Sequence, residues 1–180
     1  MRYTKNPKCY GLRLVIGAIL AEIPFDLAVF GKLTWEHQSV MVTLLLGFVM
    51  LETMKQCSDS VTKLLVVLPF AVAANVLNTD YGEKGILLIA LFALTRELPN
   101  KGAWQFFGLW CIFSPDHLMA LNWLDGFSVA IQEWAVLALV PISMYSGRKI
   151  SKNKVLQWGF YLFYPIHLAV LALMKMLIFG

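Results

Sequence analysis

Val155-Leu156-Gln157-Trp158-Gly159-Phe160-Tyr161-Leu162-Phe163-Tyr164-Pro165-Ile166-His167-Leu168-Ala169-Val170-Leu171-Ala172-Leu173-Met174 decides how the rest of the chain is read. It is the only run of bilayer-crossing length that carries no Lys, Arg, Asp or Glu. About 20 apolar residues in a row read as a spanning helix. Two residues near its centre do not suit a plain lipid-facing segment. Pro165 removes a backbone donor and crowds the carbonyl four residues back, which predicts a kink. His167 follows at mid-depth. An ionisable residue in such a position is a functional candidate, with a neutral, hydrogen-bonded structural histidine as the alternative.

Working outward, composition points the same way. The 180 residues are 59% hydrophobic, with a mean hydropathy of +0.68, against about 45–50% apolar for ordinary soluble domains. The predicted architecture is all-α: a polytopic integral membrane bundle of about seven transmembrane helices in one domain over 1–180. The segments run near Cys9–Phe30, Gln38–Leu51, Lys63–Leu77, Tyr81–Thr95, Ala103–Phe113, Phe127–Tyr145 and Val155–Phe179.

Charge orients this arrangement. With a cytoplasmic N-terminus, twelve of the fifteen basic residues fall in inner segments and the C-terminus lies outside, as the positive-inside rule requires. A multi-pass membrane protein with a cytoplasmic N-terminus is implied, with the lipid bilayer as a partner. The basic balance is absorbed by loops, so nucleic acid is not implied. Cys9, Cys57 and Cys111 are unpatterned, and the three histidines lie in separate segments. Neither a disulfide framework nor a metal site is expected.

The acids carry the remaining signal. Glu22 and Asp26 interrupt the first segment four residues apart, on one face, with Pro24 between them. Glu133 interrupts the sixth. Carboxylates within apolar segments need partners, and either a helix-pinning network or catalysis supplies a reason for them. Asp80-Tyr81-Gly82 reads as a tight turn between segments, because Asp bonds its own turn and Gly relaxes the backbone. The predicted site is a polar pocket with His167 at its floor and Glu22, Asp26 and Glu133 on its walls. A histidine held by a carboxylate suits a general base; the same set suits proton-coupled transport.

Several of these stretches, in order, resemble the TraX family of bacterial inner-membrane proteins. They are Ala21-Glu22-Ile23-Pro24-Phe25-Asp26-Leu27, Thr43-Leu44-Leu45-Leu46-Gly47 and Asp80-Tyr81-Gly82 followed by Gly85-Ile86. Pro141-Ile142 with Tyr145 and Gly147 comes next, then Phe160-Tyr161 with Phe163-Tyr164-Pro165 and His167-Leu168. The final segment is also similar to the last helix of the bacterial acyltransferase-3 superfamily.

The resemblance implies acyl transfer. Acetyl-CoA or another acyl-CoA would be the donor, and pilin or an envelope component such as a glycan the acceptor, in conjugation or pilus biogenesis. It assigns catalysis to His167, Glu22 and Asp26, and the surrounding motif to Pro24, Asp80, Tyr81, Gly82, Tyr164 and Pro165; Glu133 joins the pocket by its place in the sixth segment. It also implies two preceding helices, the first with an Asp-His pair, to which nothing in this chain corresponds. A non-enzymatic assembly factor and a small proton-coupled transporter are the alternatives.

Overall fold

A computed structural model describes residues 7–119, 137–144 and 154–179. Seven α-helices lie among them: α1 Pro7–Val29, α2 Val40–Met54, α3 Ser60–Val76, α4 Gly82–Thr95, α5 Lys101–Met119, α6 Leu139–Met144 and α7 Lys154–Phe179. The all-α expectation holds, and six helices start and stop near the expected places. Of the sixth segment only α6 is described, and Glu133 lies outside the described residues. α1 and α7 each run continuously through their internal prolines, Pro24 and Pro165.

The transmembrane part of the expectation is corrected. Among the described residues no helix is long and apolar enough to cross a membrane. α2, α3 and α4 have 15, 17 and 14 residues, short of the about 20 that a hydrocarbon core requires. α1 carries Lys8, Arg13, Glu22 and Asp26 along its length. α5 begins at Lys101 and carries Asp116 and His117, and α7 carries Lys154, His167 and Lys175. The seven crossings and the inside and outside assignment of loops and termini fall together, because the charge argument counted crossings that these helices do not provide.

The chain divides into two compact units, residues 1–86 with 151–180 and residues 87–150. In the first, α1 packs on α7 and α2, and α2 on α3. α1 and α2 run antiparallel: Tyr10 meets Phe48 edge-on at 5.2 Å, Gly17 faces Met41, and Glu22 meets Ser39. Gly17 gives room at this crossing: a Cβ there would lie 2.4 Å from Met41 Cε, so the end of the Met41 side chain would have to shift. α7 lies parallel to α1, with Tyr164 against Ala18 and Ala21 and Lys175 bonded to the backbone of Ala28 and Val29. Small side chains on α1 let its neighbours approach closely. Met50, Ala21 and Ala74 are fully buried in this unit.

In the second unit α5 packs against α6. Gly108 of α5 leaves room for Leu91 of α4, and Ala90, Leu109 and Phe113 are buried.

Candidate functional site

The polar groups of the first unit gather where α1 ends, α2 begins, α3 ends and α4 begins. Residues 30–39 create this meeting by doubling back from α1 to α2. Gly31 turns the chain with a φ of +71°, a conformation that glycine adopts without steric cost. Asp26 then grips the returning chain: its Oδ2 accepts the Thr34 N–H at 2.9 Å, while its backbone carbonyl accepts from Phe30 and Gly31. One turn earlier, the two oxygens of Glu22 lie 3.4 and 3.3 Å from the Ser39 N–H that they accept. Ser39 is the residue preceding α2, and its own side chain makes no capping bond. Glu22 thus places an anion at the positive end of the α2 dipole.

The same loop is fastened to the turn between α3 and α4. Gln38 N–H donates to Asn78 O at 3.0 Å and Asp80 N–H donates to Gln38 O at 2.9 Å, forming a two-residue bridge. Asn78 and Gly82 both take φ of +49°, and Gly82 N–H closes the turn onto Thr79 O at 2.8 Å. Asp80, Tyr81 and Gly82 therefore stand beside the start of α2.

Tyr164 is the point on which these segments converge. Its phenol takes a hydrogen bond from the backbone of Val40, and Asp80, Glu22 and Tyr81 are close enough to act on its charge. Burial first, then the Asp80 carboxylate, pushes its pKa up to about 12, so near neutral pH it is a phenol. Burial likewise raises the Asp80 pKa, with the His37 charge opposing. His37 is held over the ring of Phe30, 5.8 Å between centroids.

His167 stands one turn beyond Tyr164 on α7. It stacks on Phe163 at 5.6 Å, and its ring is 6.0 Å from that of Tyr164. Its Nδ1 lies 3.2 Å from the Tyr164 carbonyl oxygen. As the donor in that bond Nδ1 carries the proton, and Nε2 keeps a free lone pair. Among the described residues no hydrogen bond or ion pair joins His167 to Glu22 or Asp26, so the direct histidine–carboxylate contact expected from sequence is replaced by an arrangement around Tyr164. Pro165 is buried, and Pro24 lies between the two α1 acids.

A cavity of about 510 Å³ opens beside the acids, lined by Ile19, Glu22, Ile23, Asp26, Leu33 and Thr34 among others. Among the described residues no three His, Cys, Asp or Glu side chains group as a metal site.

The family model described as TraX protein matches residues 1–175. The chain belongs to the TraX family. No curated protein and no solved structure gives a match. In this TraX-family protein, Ser39, Thr34 and the Val40 backbone are partners that sequence reasoning missed. Ser39 before the apolar run from Val40 carries a helix-start signal; nothing local in the sequence marks Thr34. Lys175 was legible only as a lone cation in an apolar stretch, and its contact with the end of α1 comes from the parallel packing of α7.

Proposed function

We propose that this protein transfers an acyl group from an acyl-CoA, acetyl-CoA in the simplest case, to an amine or hydroxyl of pilin or another envelope component. Membership of the TraX family supports a role connected with conjugal transfer. The observation that carries the chemistry is the convergence of Glu22, Asp80 and the α2 N-terminus on the Tyr164 phenol, with His167 one turn away.

The donor would supply an activated thioester carbonyl. The cavity lining holds two carboxylates and no basic side chain, so it suits the neutral thioester arm and not the phosphates of such a donor. His167 Nε2 accepts the proton that the acceptor loses as its nitrogen or oxygen bonds to the acyl carbon. That proton passes to the sulfur as the carbon–sulfur bond breaks. Glu22 supplies negative charge across Tyr164, and Asp26 holds the returning loop at Thr34 against the end of α1. A positioned base of this kind is worth about 10²–10⁴-fold. Association with the bacterial cytoplasmic membrane belongs to the same reading. Exposed Leu12 and Ile19 on α1, Leu65 and Leu68 on α3 and Leu173 and Leu177 on α7 support it.

One observation favours a second reading. Glu22 and Asp26 both bind backbone N–H groups of the loop and of α2, which is what a structural network in an assembly factor would do. Labelled acetyl-CoA incubated with the purified full chain and pilin separates the two. Transfer that falls about 10²–10⁴-fold in His167→Ala supports the enzyme. Absence of both acetyl-CoA binding and transfer, or an unchanged conjugation phenotype in His167→Ala, favours the assembly factor.

A further inference from the structure

α1 is apolar on two faces. Leu14, Ala18, Ala21 and Phe25 recur at steps of four, three and four and are buried. Leu12, Ile16, Ile19 and Ile23 recur at the same steps along another face and are exposed. This second stripe runs into the cavity beside the acids. Ile19 and Ile23 are walls of that space, together with Leu33 and Trp35 of the returning loop. Ala18 lines it too and belongs to the cluster against which Tyr164 packs, so one residue separates the cleft from the phenol. From Ile23 back to Ile16 the helix rises about 10 Å, the extended length of a chain of about eight carbons. An acetyl group would meet only the end of this surface.

Resting on the acyl-transfer reading, which places the donor's thioester arm in this cavity, we infer that the acyl group is a medium-length alkyl chain of about eight carbons and that Ile19 sets this preference. The thioester end lies by Ala18 and Glu22, and the chain runs from Ile23 over Ile19 to Ile16. An alkyl chain asks for no hydrogen bond, which suits a cleft whose two acids already accept from the backbone of Thr34 and Ser39. A fully buried methylene is worth about fourfold in affinity, and a cleft open on one side covers about half of it, or roughly twofold. Octanoyl has six more carbons than acetyl, which amounts to roughly sixtyfold.

The test is calorimetric titration of the full chain with acetyl-CoA and octanoyl-CoA, in the wild type, Ile19→Asn and Leu65→Asn. Ile19 is 68% exposed and Leu65, on α3, 58%, so both positions tolerate a polar side chain. Partition of the chain into any carrier detergent is common to the three proteins and cancels. Octanoyl-CoA should bind the wild type at least about tenfold tighter than acetyl-CoA. Ile19→Asn should bring the two donors within about threefold of each other, and Leu65→Asn should keep the wild-type ratio. Equal affinities in the wild type, an undiminished ratio in Ile19→Asn, or a ratio lost equally in Leu65→Asn, as adsorption to any apolar surface would give, overturns the inference and leaves acyl transfer standing. The expected ratios with no transfer from either donor sink the acyl-transfer reading and leave a chain-binding cleft. No binding of either donor overturns both.

Discussion

Replacing Tyr164 by Phe tests the centre of the site through its pH dependence. In the folded chain burial and the Asp80 carboxylate raise the tyrosine pKa from 10.0 to about 12, while in the unfolded chain it stays near 10. The fold favours the neutral phenol. Its contribution is therefore complete below pH 10 and is lost as pH rises from about 10 towards 12, where the unfolded chain releases the proton first. Two units correspond to at most ~2.7 kcal/mol, and partial solvent access reduces this to roughly 1 kcal/mol. The phenol also accepts the Val40 backbone bond, and loss of that acceptor costs about 1–3 kcal/mol at any pH if the N–H is left dry. Urea unfolding followed by far-ultraviolet circular dichroism should show Tyr164→Phe less stable than wild type by about 1–3 kcal/mol near pH 8. The gap should narrow by roughly 1 kcal/mol near pH 11.5. The difference between the two proteins cancels the other tyrosines and the lysines. A gap that stays constant across this range would refute the buried, acid-flanked placement of the phenol.

Three further outcomes follow from the same geometry. Asp80→Asn should stabilise the protein at pH 7, because burial penalises the ionised carboxylate. That advantage is full above the raised pKa of the folded state and disappears below about pH 4, where both states are protonated; thermal melts at pH 7 and pH 3.5 read the sign. Lys175→Met removes two bonds from Nζ to Ala28 O and Val29 O, at 3.2 and 2.9 Å, and a cation from the negative end of α1. It should cost about 1–2 kcal/mol, less at high salt, measured by denaturant titration at two ionic strengths. Met50→Ala empties a fully buried position and should cost about 2–5 kcal/mol by the same titration; a cost under about 0.5 kcal/mol would show that Met50 is not packed as described.

Helix positions were legible because apolar runs and the turn residues between them are local. Asp80-Tyr81-Gly82 marked the turn into α4, whereas the segment expected from Gln38 starts as a helix at Val40, after Ser39. Burial and environment were not legible in the same way. A run such as Leu64, Leu65 and Leu68 has one apolar appearance whether lipid, solvent or protein faces it, so counting such runs produced seven crossings from helices too short or too charged to make them. The acids show the same limit. Spacing by four put Glu22 and Asp26 on one face of α1 and made a shared role readable. It could not show that the chain after Phe30 returns over that face and presents Thr34 and Ser39 N–H groups to them. Spacing puts His167 one turn from Tyr164 on α7, but the distance from α7 to either α1 carboxylate depends on packing that no local pattern encodes.

The electrostatics of the assembled site follow from how few of its charges are compensated. Glu22 has a backbone N–H from Ser39 and the positive end of α2 beside it. Asp80 and the part-buried Tyr164 lie beside it, and partial desolvation makes both hold their protons more tightly. Among the described residues, His37 is the basic group whose charge opposes the rise in the Asp80 pKa, and it belongs to the same returning loop. Adding another negative charge here is unfavourable, whereas adding a proton or a cation is favourable. His167 stands one turn from the phenol, with Nδ1 towards the Tyr164 carbonyl. The site is thus biased against binding anions. That bias follows from the fold of α1, residues 30–39 and α2 together, which brings Glu22, Asp80 and Tyr164 to one place.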